Sequence, residues 1–282
     1  MSKRSPVAVP YKLIVGFLVF VALAAAALAN EPTVPAVSAD QAIEQLLQGN
    51  ARFVAGNLEH PRAGAERRTE TAKNGQHPFV TVIACSDSRC PVERLFDQGV
   101  GDVFVIRVAG NVCDTDEIGS IEYGVGHLGT PLMVVLGHTQ CGAVTAVTMG
   151  AKLSGNIPSL VDNIAPAVDA AKRDNPGLEG QALVPAAIKA NVLQGMEDVL
   201  RHSDEVRERA EAGKLLVVGA IYDIETGKIE WLGKHPLERT LLAGGEEQES
   251  EEESPAHGEA VAEANAADEA PANPPAQQAG DA

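Results

Sequence analysis

Cys85, His138 and Cys141 are side chains of the kind that bind borderline-soft metal ions, and Asp87 and Arg89 stand immediately beside the first of them. His138 and Cys141 are three residues apart, a spacing from which two side chains converge on one ion, and Cys85 can supply a third ligand. Two thiolates and an imidazole suit zinc, which prefers tetrahedral sulfur and nitrogen coordination. Three protein ligands leave one position for water or substrate, the mark of a catalytic rather than a structural site. Zinc lowers the pKa of bound water to about 7, so hydroxide becomes available at neutral pH. Taken singly, each residue has a plainer reading: Cys85 and Cys141 as a disulfide or inert thiols, His138 as a satisfied core histidine, Asp87 and Arg89 as an ordinary ion pair. Beside a metal, Arg89 would keep Asp87 ionised and oriented. Asp87 could then accept a proton from the metal-bound water, or itself become a fourth ligand in a closed state.

Such a site needs a frame that brings distant segments to one edge. Three short apolar runs, Phe79 to Ala84, Val103 to Val108 and Leu132 to Leu136, with a fourth at Leu215 to Ile221, read as buried parallel strands. The spans Ile118 to Leu128 and Val184 to Leu200 are candidate crossover helices. The fold class is α/β, with a mainly parallel central sheet flanked by helices. Thr226-Gly227-Lys228 reads as a hairpin turn, so the last strand pairs antiparallel at an edge. Functional groups of open α/β sheets gather beyond the carboxyl ends of strands. Cys85 to Arg89 follow the first run and Gly137 to Gly142 the third. Ser38 to Gln41 forms a capping box, and Ile43, Leu46, Leu47, Phe53 and Val54 give the helix behind it an apolar packing face.

Cys-Ser-Asp-Ser-Arg at 85–89 followed by His-x-x-Cys-Gly at 138–142, each after a strand, resembles the signature of β-class carbonic anhydrases. The resemblance covers about residues 40 to 235. It implies Cys85, His138 and Cys141 as ligands of one Zn2+ per subunit, with Asp87 and Arg89 as the catalytic dyad. It further implies reversible hydration of carbon dioxide to bicarbonate and a proton. Gln76, Phe104 and Tyr123 match the plant-like branch: Gln76 as a hydrogen-bonding partner of substrate, the two aromatics as lining of a small apolar pocket, often across a dimer interface. Gly142 would offer its backbone N–H there, and Tyr123 and His127 match proton-shuttle positions. The expected assembly is a homodimer or a tetramer of dimers. Val82 stands where one bacterial branch has a tryptophan for a second bicarbonate site, so that site is expected to be missing. Cys90 and Cys113 depart from the pattern, as buried thiols or as a disulfide. Hydrolysis of COS or CS2 on the same site, and a non-catalytic zinc module closed by Asp87, are the alternatives.

The rest of the chain sets boundaries. Lys3, Arg4 and Lys12 precede an apolar run from Leu13 to Leu28 that ends in small residues. Residues 1–29 therefore read as a signal peptide cleaved after Ala29, or as an N-terminal anchor, and the expected location is periplasmic or otherwise extracytoplasmic. Membrane association follows only if this segment stays uncleaved. Residues 30–37 are a linker, 38–242 the catalytic domain and 243–282 an acidic tail expected to be disordered. That tail carries eleven acids and no Lys or Arg, a large share of the net charge of −17. No Lys/Arg cluster of the kind that neutralises phosphates occurs, which excludes a nucleic-acid binder.

Overall fold

The structure is a computed structural model and describes residues 37–243. The expected leader, the linker up to residue 36 and the acidic tail from residue 244 onward lie outside the described residues. Ser38 opens helix α1 (Ala39–Ala55): its hydroxyl accepts from the Gln41 N–H at 3.2 Å while Gln41 Oε1 accepts from the Ser38 N–H at 2.9 Å. This is the expected capping box. The packing face is narrower than the sequence suggests, because α1 buries Ala42, Leu46, Gly49 and Asn50. Gly49 lies so close to the Phe96 carbonyl that a Cβ would overlap it. That approach turns Leu47 and Val54 outward, 41% and 40% exposed, contrary to their expected packing role.

Five strands follow the expected plan: β1 (Val80–Cys85), β2 (Val103–Val108), β3 (Leu132–His138), β4 (Leu216–Tyr222) and β5 (Ile229–Gly233). Their order is β2-β1-β3-β4-β5, with the first four parallel and β5 antiparallel to β4. Two strands run further toward the site than their apolar runs indicate. β1 ends on Cys85 itself, because pairing with β2 continues to Val108, and β3 reaches His138 because Tyr222 of β4 still pairs with it. Both ligands are thus fixed by sheet hydrogen bonding rather than by a loop.

The helices are α2 (Ala65–Asn74), α3 (Val92–Leu95), α4 (Thr115–Glu122), α5 (Gly142–Thr148), α6 (Ile157–Val161), α7 (Ala165–Asp174), α8 (Val184–His202), α9 (Asp204–Glu211) and α10 (Glu238–Leu242). The crossover expected as one helix from Ile118 to Leu128 is split: α4 passes into a π-helical turn over Tyr123–His127. Gly124 in that turn presses on β1, where a Cβ would overlap Thr81 Oγ1. Among the described residues, no helix is long and apolar enough to cross a membrane.

Alternation along the strands divides the core in two. Val80, Val82, Ala84, Leu132, Val134 and Leu136 pack with Leu46, Leu95 and Phe96 on one face. Ile83, Cys85, Met133 and Val135 pack with Ile188, Val192 and Met196 on the other. Each fully buried aliphatic side chain contributes about 1.5–3 kcal/mol, so this two-sided burial is what holds the strand ends rigidly. Cys90 belongs to the first cluster and Cys113 to the second, and all four cysteines are free and buried. The disulfide alternative for Cys90 and Cys113 is therefore set aside: the two thiols pack in separate layers.

Candidate metal centre

The carboxyl ends of β1 and β3 are neighbours, and the turn after β3 brings Cys141 back toward them. Gln140, between the two downstream ligands, takes a left-handed backbone at φ 57, which makes that reversal. Sγ of Cys85, a ring nitrogen of His138 and Sγ of Cys141 lie within 4.8 Å of one another, all on buried residues. His138 is 1% exposed, and its Nδ1 meets the Thr139 carbonyl oxygen at 2.9 Å. Its Nε2 is buried with no hydrogen-bond partner. An orphaned ring nitrogen between two sulfurs is what a tetrahedral ion with S2N donors would satisfy, and the residues fit zinc.

The donors around these sulfurs favour thiolates. The Cys85 Sγ accepts from the N–H of Asp87 at 3.4 Å and of Gly110 at 3.3 Å. Its pKa is pushed down, first by the Cys141 thiol and then by His138 and these two amides, against the opposing effect of burial. The Cys141 thiol is pushed up because Cys85 takes the charge first and burial disfavours a second one, although the N–H groups of Val144 and Ala143 at the start of α5 favour its thiolate. Burial opposes protonation of His138, but the Cys85 and Cys90 sulfurs outweigh it and push its pKa up. A cation binding these three groups would expel the protons they carry.

Asp87 and Arg89 form a two-point pair: Nε donates to Oδ1 at 2.9 Å and Nη2 to Oδ2 at 2.7 Å, and the Arg89 backbone N–H also reaches Oδ1 at 2.9 Å. The Arg89 guanidinium holds the Asp87 carboxyl well below the usual carboxylate range. Asp87 Oδ2 stands 4.0 Å from His138 Nε2, beside the ligand set rather than in it. Both carboxylate oxygens are engaged by Arg89, and Asp87 as the fourth ligand of the alternative closed module would have to give up one of those contacts.

Four supporting residues escaped the sequence reading. Arg107 on β2 donates to the Cys85 carbonyl at 3.1 Å and to the Asp87 carbonyl at 2.6 Å, pinning the loop between them. Thr139 is tied to the end of the neighbouring strand β4, its N–H to Tyr222 O at 2.9 Å and its hydroxyl accepting from Ile224 N–H at 3.1 Å. Gly110 approaches Cys85, and Asn191 of α8 donates to the Gly110 carbonyl at 2.7 Å. The glycine just after a strand was a legible sign of close backbone approach. Asn191 was legible only as a polar residue on an otherwise apolar helix face.

The remaining expected site residues fall elsewhere. Gly142 opens α5 next to Cys141 and is exposed. Phe104 pairs with Thr81, four residues before Cys85, which puts it ~13 Å back along the sheet at about 3.3 Å per residue. It stands 5.8 Å from the ring of Tyr123, which stacks on His127 at 4.7 Å. Tyr123 is 45% exposed, and Gln76, just before β1, is exposed as well. One chain therefore gathers the metal ligands and dyad at one end of the sheet and the aromatic row and Gln76 toward the other. A cleft of about 560 Å³ is at neither place: it lies between α4 and α8, lined by Cys113, Glu122, Gln194, Asp198 and His202 among others. Among the described residues only Cys85, His138 and Cys141 converge as a metal-ligating set.

Comparison with known proteins bears on the same residues. The family described as Carbonic anhydrase matches residues 80–229, a span that begins with β1 and contains all three ligands. "Carbonic anhydrase 2" of Mycobacterium tuberculosis is 38% identical over 187 residues, covering 65% of this chain and 87% of the relative. The β-carbonic anhydrase CafA of Aspergillus fumigatus superposes with a TM-score of 0.58 at 28% identity, covering 73% of this chain and 99% of that one. One of two tetrameric β-carbonic anhydrases of Sordaria macrospora superposes with a TM-score of 0.54 at 27% identity, covering 68% and 97%.

Proposed function

The chain belongs to the β-carbonic anhydrase family, zinc enzymes that hydrate carbon dioxide reversibly, and from that premise we propose how its own residues divide the work. The observation that carries the reading is the buried, unpartnered His138 Nε2 between the sulfurs of Cys85 and Cys141. When bound there, zinc supplies Lewis acidity and makes hydroxide available near neutral pH, the nucleophile that hydration requires.

Arg89 keeps Asp87 ionised and fixes its orientation. Asp87 Oδ2, 4.0 Å from His138 Nε2, accepts a hydrogen bond from the water entering beside that nitrogen and turns its lone pair toward the substrate carbon. The Gly142 backbone N–H, next to Cys141 at the start of α5, donates to an oxygen of the substrate in this reading. The product is bicarbonate, and one proton leaves in each cycle.

Gln76, Phe104 and Tyr123 complete the substrate pocket of a second copy of the chain. Within one copy the aromatic row is ~13 Å away along the sheet, yet half-exposed and on the edge strand side, where another subunit can meet it. In that arrangement Tyr123 and His127 form the shuttle, already in ring contact at 4.7 Å. The active unit in this reading is a homodimer, alone or within a tetramer of dimers. Export rests on Lys3, Arg4, Lys12 and the apolar run after them, and mass spectrometry of periplasmic protein should find a chain beginning at Asn30.

Stopped-flow hydration of carbon dioxide by the purified chain, with zinc measured on the same sample, tests the reading. Activity should require the metal and vanish with it in Cys85→Ser. Asp87→Asn should keep its zinc and lose turnover.

A further inference from the structure

Asn191 is 3% exposed in the middle of α8, on the face that also buries Ile188, Val192 and Gly195. A buried amide is costly unless it is hydrogen-bonded, so its presence on an apolar helix face asks for a partner. That partner is 81 residues away: Nδ2 donates to the Gly110 carbonyl at 2.7 Å. Gly110 has φ 77 in the short turn after β2, a left-handed backbone that favours glycine, and a Cβ there would crowd Ile164 Cδ1 at 2.6 Å. With its carbonyl held by Asn191, Gly110 turns its N–H toward Cys85, donating to Sγ at 3.3 Å.

We infer that Asn191 is a positioning residue of the metal centre, which sets the electron donation of Cys85 to the metal by aiming the Gly110 N–H at its sulfur. The inference rests on the zinc-site reading above. An N–H···S bond draws electron density from a thiolate and stabilises its charge, so a metal bound to that sulfur stays more electrophilic. The Asp87 N–H at 3.4 Å is a donor only two residues along the chain from the ligand, whereas the Gly110 donor is held from another layer of the fold. Asn191 touches neither substrate nor metal and acts only through this relay.

The test uses the full chain loaded with Co2+ and, separately, with 113Cd2+. In the wild-type 113Cd protein, the Gly110 amide proton should show scalar coupling to the metal through Cys85 Sγ. In Asn191→Leu, which keeps the side-chain size and removes the donor, that coupling should be lost. The thiolate-to-Co2+ charge-transfer band should move to lower energy, and zinc affinity or hydration should fall about 10-fold, the usual effect of removing an outer-shell partner. A variant that is only less heat-stable, with an unshifted charge-transfer band, would overturn the inference. So would a wild-type protein whose Gly110 amide shows no coupling, a result that does not depend on the variant folding. A wild-type chain that binds Co2+ with no thiolate band at all would instead sink the metal-centre reading, and this inference with it.

Discussion

Arg89 grips both carboxylate oxygens of Asp87, at 2.9 Å from Nε to Oδ1 and 2.7 Å from Nη2 to Oδ2, and so keeps the carboxylate beside the metal ligands rather than among them. Arg89→Met should free Asp87 to swing. Turnover should fall by about 10²-fold or more, the range for a misplaced acid–base group, with zinc content unchanged. Because the Asp87 pKa is depressed, its charge is complete above the usual carboxylate range and is lost only as pH falls below it. The wild-type rate between pH 6 and 9 should therefore carry no titration of Asp87. A pH–rate series on both proteins checks this.

Arg107 should matter for the loop rather than for the chemistry. Arg107→Met removes donors to two backbone carbonyls, at 3.1 and 2.6 Å. Denaturant unfolding should show a loss of about 1–3 kcal/mol, and zinc should dissociate faster, since the loop that carries Asp87 leaves the strand at Cys85.

Asp198 gives a stability prediction with a definite sign. Burial raises its pKa to about 6, with the Gln194 amide, donating at 2.8 Å, offsetting only part of the penalty. A carboxyl whose folded pKa lies above its unfolded value favours the fold at low pH and loses that contribution as pH rises toward 6. Asp198→Asn should therefore raise thermal stability at pH 7.5, by about 1–3 kcal/mol, and flatten the stability profile between pH 4 and 6. A variant less stable than wild type at pH 7.5 would contradict it.

Sharing of sites between subunits can be tested by mixing. Cys85→Ser and Gln76→Leu are each expected to be inactive, one lacking a metal ligand, the other a substrate contact. If each site takes Gln76 from the other copy, exchanged heterodimers hold one intact site of two, and a mixture should recover about a quarter of wild-type activity. No recovery after demonstrated exchange would place Gln76 and the metal in the same subunit's site.

The strands, the hairpin and the capping box were legible because each rests on local pattern: β-branched runs, a Thr-Gly-Lys turn, a Ser with Gln three residues on. The three ligands were legible because residue type and strand-end placement coincide. What was not legible depends on packing between layers. The exposure of Leu47 and Val54 follows from Gly49 meeting Phe96, and the π-helical turn at Tyr123 lies where Gly124 meets Thr81. The separation of Cys90 from Cys113 follows from their clusters. Asn191 and Arg107 act on backbone atoms far away in sequence, which no motif encodes.

The central claim is that Cys85, His138 and Cys141 hold one zinc whose remaining position is free for water. X-ray absorption at the zinc edge on the active protein at pH 8 measures this most directly. The account predicts two sulfur, one imidazole nitrogen and one non-protein oxygen ligand. A fourth ligand from Asp87 in the active protein, or a site without both sulfurs, would contradict it.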